Sequence, residues 1–178
     1  RDRTVALVTF ATAALEAYQA QKRARALLDY DDLILFTLDV LGAGLEDGPE
    51  RSAARNWVRY KMDQGIDHIL VDEAQDTNPE QWDIVQALSD EFFSGEGTRP
   101  AGSRSLFAVG DEKQSIFGFQ RAAPEKFRAA ETTYQARAEQ AGMPFDPVAM
   151  QVSFRSTAPV LRVTDAVFEG VEGAAMLG

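Results

Sequence analysis

A chain of 178 residues, 45% hydrophobic and 26% charged, is long enough for one cored domain and part of a second. It has no run of eighteen apolar residues and no charged-then-apolar leader, which argues against a membrane span or signal peptide and leaves a cytoplasmic home as the default. The net charge of −10 excludes a module that grips nucleic acid through a broadly basic surface, and the absence of cysteine adds only slight weight to a reducing compartment.

Residues 4 to about 28 contain no proline or glycine, and Leu7, Phe10, Ala14 and Tyr18 recur at helical spacing. This predicts one long helix. Lys22, Arg23 and Arg25 at its end suit the negative pole of the helix dipole, and we read them as solvated rather than as phosphate contacts. Asp31 and Asp32 then precede the apolar run 33–41 and are expected to cap a second helix. Residues 42–48 form a turn. Pro49 opens a third helix that should turn Ala53, Trp57, Val58 and Met62 inward, and Gly65 ends it.

The apolar run from His68 stops at two adjacent acids, Asp72 and Glu73, and reads as a buried parallel strand. A capping residue and Pro79 restart a helix, continued by Trp82, Val85, Leu88 and Phe92. Residues 94–103, with three glycines and a proline, are a loop. A second apolar strand, 106–109, ends at Gly110 and Asp111. The right-handed crossover rule lays it parallel to the first, so the two loops open on one edge and share a cleft. Pro124 to about Ala141 is a polar, alanine-rich helix. Residues 142–147 break it and mark the best domain boundary. A third strand is expected at 148–152, and a helix from Thr157 to about Phe168. There is no internal repeat.

Two acids at a strand end suggest metal and phosphate chemistry. Magnesium keeps most of its waters and takes one or two protein carboxylates, so Asp72, with Glu73 beside it, is the candidate metal pair; Glu73 is also placed to orient or deprotonate a water. The plainer alternative is a solvated acidic turn before a capped helix. In the second loop, Gln114 can sense a terminal phosphate by hydrogen bonding. Phe117 and Phe119 are candidates to stack on unpaired bases; for Phe117 core packing is the preferred reading, and for Phe119, between Gly118 and Gln120, stacking is. Arg155, beyond the boundary, has the character of an arginine finger, with a surface arginine as the equally common alternative.

Asp-Glu-Ala-Gln-Asp-Thr-Asn from Asp72, Gly-Asp-Glu-Lys-Gln-Ser-Ile-Phe from Gly110 and Ser-Phe-Arg-Ser-Thr from Ser153 resemble, in order, motifs II, III and IV of the UvrD/Rep branch of superfamily 1 DNA helicases. Tyr30-Asp-Asp-Leu33 resembles the segment by which such chains return from an inserted helical subdomain. Within the branch, the wording of motifs III and IV is most similar to AddA-type helicase–nuclease subunits. The resemblance implies an α/β fold, a partial RecA-like P-loop NTPase motor. Residues 1–28 would come from an inserted helical subdomain, 29–141 from the latter part of the first motor domain, and 142–178 from the start of the second. It implies ATP and Mg2+ as cofactors, with Asp72 on magnesium, Glu73 as catalytic base, Gln114 and Arg155 on the γ-phosphate and Phe119 on single-stranded DNA. It also implies double-stranded DNA as substrate, an AddB-type partner, and a role in double-strand-break repair. Where many relatives read aromatic-Arg-Gly-Ala, this chain has Phe119-Gln-Arg-Ala122, which weakens the expectation of a DNA contact at Gln120.

No glycine–lysine pair occurs in the sequence, so no phosphate-cradling loop is expected here, and motifs V and VI are not found. With Arg1 at its start and a glycine-rich end, the chain is expected to be an internal piece of a larger helicase, inactive by itself. The alternative is a stand-alone, non-catalytic interaction module that has kept the fold, a choice that the genomic flanks would settle.

Overall fold

The computed structural model describes residues 2–42, 49–93, 103–116, 118–150 and 152–169. Helices predominate. In order they are α1 (Asp2–Arg25), α2 (Tyr30–Leu41), α3 (Pro49–Asp63), α4 (Pro79–Ser89), α5 (Pro124–Ala141) and α6 (Ala158–Phe168); the two short strands are β1 (His68–Val71) and β2 (Ser105–Ala108). The strands pair in parallel, with His68 opposite Ser105 and Val71 opposite Ala108.

Local chemistry accounts for several helix ends. α2 begins at a reciprocal capping box in which the Asp29 carboxylate accepts from the Asp32 amide and the Asp32 carboxylate accepts from the Asp29 amide. The cap is therefore Asp29, with Asp32 in support, rather than Asp31 and Asp32. α4 repeats the device with Asn78 and Gln81 and has its proline in the first turn. α5 spans the expected residues and ends at Gly142, whose φ of +65° supplies the left-handed conformation that closes a helix. α1 stops at Arg25, three residues short of expectation, where Ala26 turns to positive φ.

The core lies on one side of the sheet. Ala74, Trp82 and Tyr134 are its buried centre, with Val71, Val85, Phe93, Leu106, Ala108, Phe127, Ala130 and Phe145 packed around them. Trp82 stacks on Phe127 at 6.2 Å between ring centroids, and the Tyr134 hydroxyl shares a buried hydrogen bond of 2.8 Å with Ser89. α2 packs on α3 and α4, and α5 packs on α4 and on the Ala74–Asp76 turn. A part-buried ion pair of 2.7 Å between Arg104 and Asp63 ties the start of β2 to the end of α3.

Several sequence expectations are corrected. β1 is not buried on both faces: Ile69 and Val71 face the core side, but Leu70 is 69% exposed, as is its register partner Phe107 at 56%. A continuous apolar run suits a strand covered twice, and only one cover is present among the described residues. No strand forms at 148–150 or at 152, because no described strand lies alongside to complete its ladder. In α3, Trp57 is 61% exposed and Ala53 and Met62 are exposed too; among the described side chains of the helix it is Arg55 that is buried, pairing with Asp39 at 2.6 Å. Lys22 is not solvated: only 7% exposed, it bonds both Asp29 and Asp32 at 2.6 Å. The turn at 43–48, the loop at 94–102 and Phe117 lie outside the described residues.

Candidate active site at the ends of the paired strands

β1 and β2 run parallel in register, so their carboxyl ends come out side by side and the next residues of each chain segment meet. The Val109 amide donates to the Val71 carbonyl at 2.9 Å, and the Ala74 amide then donates to the Val109 carbonyl at 2.9 Å. This hydrogen-bonded ledge carries Asp72 and Glu73 on one side and residues 110–115 on the other.

Glu73 sits at φ 50°, ψ 46°, a left-handed conformation that costs a non-glycine residue about 1–2 kcal/mol. The following Ala74–Asp76 turn is anchored by Ala74, which is fully buried. The strained step turns the chain sharply at the strand end. It leaves Asp72 and Glu73 exposed while Ala74 and Gln75 face inward. The Asp72 Oδ1 accepts from the Glu73 amide at 2.9 Å.

Gln75 lies within the motif that begins at Asp72 but carries no expected role in the sequence reading, yet it joins the two loops. Its side chain is 2% exposed; Nε2 donates to Glu73 Oε2 at 2.8 Å, and Oε1 accepts from the Asp111 amide at 2.9 Å. Its backbone carbonyl accepts from the Ser115 hydroxyl at 3.3 Å. Gly110 is what allows this approach: a Cβ there would lie 2.5 Å from the Gln75 Oε1 and 3.0 Å from the Ala74 nitrogen. A buried amide flanked by a glycine in the facing loop is a signal that spacing alone does not display.

Of the other candidates, Gln114 is exposed and gives its amide to Asp111 Oδ2 at 2.9 Å, so a phosphate contact would require it to leave that partner. Phe119 lies in the Gly118–Gln120 turn and is 79% exposed, which does not fit burial in the core. Arg155 is exposed in the bend before α6, and no hydrogen bond or ion pair among the described residues ties it to the ledge. Asp72, Glu73 and Gln114 are thus gathered on one edge, whereas Arg155 is not brought to them by any described contact.

Asp72 and Glu73 together suit magnesium: they are adjacent and exposed, and such an ion needs only one or two carboxylates because it keeps its waters. No group of three or more histidine, cysteine, aspartate or glutamate side chains that could hold a metal occurs among the described residues, so a fully protein-caged ion is not what this donor set offers.

Residues 3–135, which include the whole ledge, match the UvrD/REP helicase N-terminal domain. The chain belongs to that helicase family. It is 34% identical over 158 residues to the AddA polypeptide of the ATP-dependent helicase/nuclease of Bacillus mycoides strain KBAB4, covering 89% of this chain and 12% of the relative. The protein of the same name from Enterococcus faecalis is 36% identical over 155 residues, 86% of this chain and 11% of the relative. That of Latilactobacillus sakei is 39% identical over 113 residues, 64% of this chain and 10% of the relative. These matches bear out the AddA-type resemblance carried by the three motifs. The chain spans about a tenth of the length of these curated relatives. No helix among the described residues is long and apolar enough to cross a membrane.

Proposed function

We propose that this chain is part of a RecA-like motor in an AddA-type helicase–nuclease, where ATP hydrolysis is coupled to DNA unwinding. The full protein would act in the cytoplasm on duplex ends during double-strand-break repair, with an AddB-type partner. One observation carries the reading. The acid pair Asp72–Glu73 and the loop bearing Gln114 leave adjacent parallel strands and are hydrogen-bonded into one ledge, the arrangement that nucleotide chemistry at a sheet edge needs.

In this mechanism Asp72 would hold magnesium through its waters, and the ion would neutralise charge on the phosphate oxygens. Glu73, on the next residue and held by Gln75, takes the proton of the attacking water or fixes its lone pair toward phosphorus. Gln114 exchanges its Asp111 partner for a terminal phosphate oxygen, so phosphate occupancy is felt in the loop that continues to Phe119. Arg155, supplied from the segment after the 142–147 break, adds positive charge at the γ-phosphate. Phe119 stacks on a base of the single strand, which requires no basic surface and so accommodates the net charge of −10.

In the full-length protein, Glu73→Gln should leave nucleotide binding nearly intact and cut hydrolysis by about a hundredfold or more, the loss expected when a positioned base is removed. A variant that still hydrolyses ATP at the parent rate would remove Glu73 from the mechanism. The 178 residues alone, which contain no glycine–lysine pair, should release no phosphate from ATP with magnesium and single-stranded DNA. Turnover by them that Glu73→Gln abolishes would sink that expectation.

A further inference from the structure

We propose that Gln75 is a positioning residue that holds the Glu73 carboxylate in working geometry and joins it to the loop beginning at Asp111. The inference rests on the reading of Glu73 as the group that handles the attacking water.

The orientation of the Gln75 amide follows from its surroundings. The Asp111 amide can only donate, so the oxygen end of Gln75 must face it at 2.9 Å, and the NH2 end is then left toward Glu73 Oε2 at 2.8 Å. The side chain is almost completely buried, and both contacts satisfy polar atoms that would otherwise be lost from water. Glu73, by contrast, is exposed, with a long side chain on a strained backbone step. A hydrogen bond from a neutral amide to a carboxylate restricts its rotamers without supplying an opposing charge. A lysine or arginine in this place would pair with the carboxylate and compete with its proton chemistry. The same amide makes the position of Glu73 depend on that of Asp111, which holds Gln114 through its own Oδ2. The group aimed at water and the group aimed at phosphate are therefore joined by a chain of three hydrogen bonds with Gln75 in the middle.

The test uses the full-length protein and three single variants, Gln75→Glu, Gln75→Met and Glu73→Gln, with the double variant Glu73→Gln/Gln75→Met. Gln75→Glu keeps an oxygen for the Asp111 amide but replaces the neutral N–H donor to Glu73 by a second carboxyl, which repels the Glu73 carboxylate or shares its proton; Gln75→Met removes both contacts at similar volume. Steady-state ATP hydrolysis with magnesium and single-stranded DNA, affinity for a fluorescent ATP analogue, and thermal melting are measured on each. The expected result is that both Gln75 variants lose about tenfold or more in kcat while KM for ATP and analogue affinity stay within about threefold of the parent. In the Glu73→Gln background, Gln75→Met should change the residual rate by less than about twofold, because residues acting as one unit are not additive. A parental kcat in Gln75→Glu overturns the proposal, and so do losses that multiply in the double variant. Early melting with a matching loss of analogue affinity in both Gln75 variants also overturns it, since that is the behaviour of a structural staple. If Glu73→Gln hydrolyses at the parent rate, the base assignment falls and takes the proposal with it. An inert Glu73→Gln beside a fully active Gln75→Glu defeats the Gln75 role alone.

Discussion

Two of the polar knots among the described residues are built on opposite principles. At the strand-end ledge, a neutral amide, Gln75, and backbone groups connect loops separated by some thirty-six residues of sequence. At the elbow between α1 and α2, a buried cation, Lys22, bridges Asp29 and Asp32, and the Tyr18 hydroxyl also donates to Asp29 at 2.9 Å. The ledge sits on the Ala74–Trp82–Tyr134 core, whereas the α1 side of the elbow exposes Val5, Leu7, Val8, Phe10 and Leu15. A site that must keep its shape while protons move is better held by groups that do not titrate. The elbow has no such requirement, and a charged latch serves it.

The comparison can be broken most severely at the core beneath the ledge. Trp82→Ala should cost about 3–5 kcal/mol in thermal or denaturant unfolding, the range for deleting a buried large aromatic side chain. A loss under about 1 kcal/mol would mean that the ledge does not depend on this core.

Gly110→Ala probes the ledge itself. The new Cβ would meet the Gln75 Oε1 and the Ala74 nitrogen, so unfolding should cost about 1–3 kcal/mol by overpacking, with hydrolysis in the full-length protein falling as well. Parental stability and rate together would show that the two loops are free to part.

Phe119→Ala should affect binding rather than folding. With the side chain 79% exposed, the melting temperature should hardly move, while single-strand affinity of the full-length motor falls by about 1–3 kcal/mol, as for one base–aromatic contact. Early melting with normal DNA affinity would remove its stacking role.

The smallest expected effect separates the knots by pH. Hydrogen bonds from Lys22, then from the Asp32 backbone amide, with a further one from Tyr18, hold the Asp29 carboxyl far below the usual carboxylate range. A lowered folded value means that its stabilisation is fully present above about pH 4, the ordinary carboxylate value, and is lost as pH falls through the folded one. Lys22 is pushed the other way: burial works against its charge, but the bonds to Asp29 and Asp32 outweigh this and raise it. Its contribution is present below about pH 10.4 and lost only as pH rises through the raised value. Hydrogen exchange corrected for intrinsic rates should therefore show the Asp32 and Leu33 amides losing protection on acidification before the Ala74 and Asp111 amides do. Simultaneous loss would erase the distinction between a charged and a neutral knot.

Much of the architecture was legible in the residues themselves. Pro49, Pro79, Pro124 and Pro159 lie in the first turns of the helices where they were expected, and Gly142 closes α5, because prolines and left-handed glycines act within one turn of chain. Apart from the strand expected at 148–152, the order of strands and helices and the parallel pairing of β1 with β2 followed from apolar runs and crossover handedness. The three motifs were enough to place the chain in its helicase family.

What only the tertiary structure decided is who meets whom across the fold. Lys22 reads as a solvated helix end until α2 folds back and offers two carboxylates. Trp57 and Met62 have the spacing of an inward face, yet Arg55 is buried instead because Asp39 stands opposite. Residues 148–152 have strand composition but no ladder among the described residues, since a strand exists only with a neighbour to accept its hydrogen bonds. Gln75 and Gly110 lie inside the quoted motifs without an assigned role and become the joint of the ledge only when two parallel strand ends bring them together. Caps and turns are set by contacts a few residues long, whereas a buried amide's partners are chosen by packing between distant segments, which no local pattern encodes.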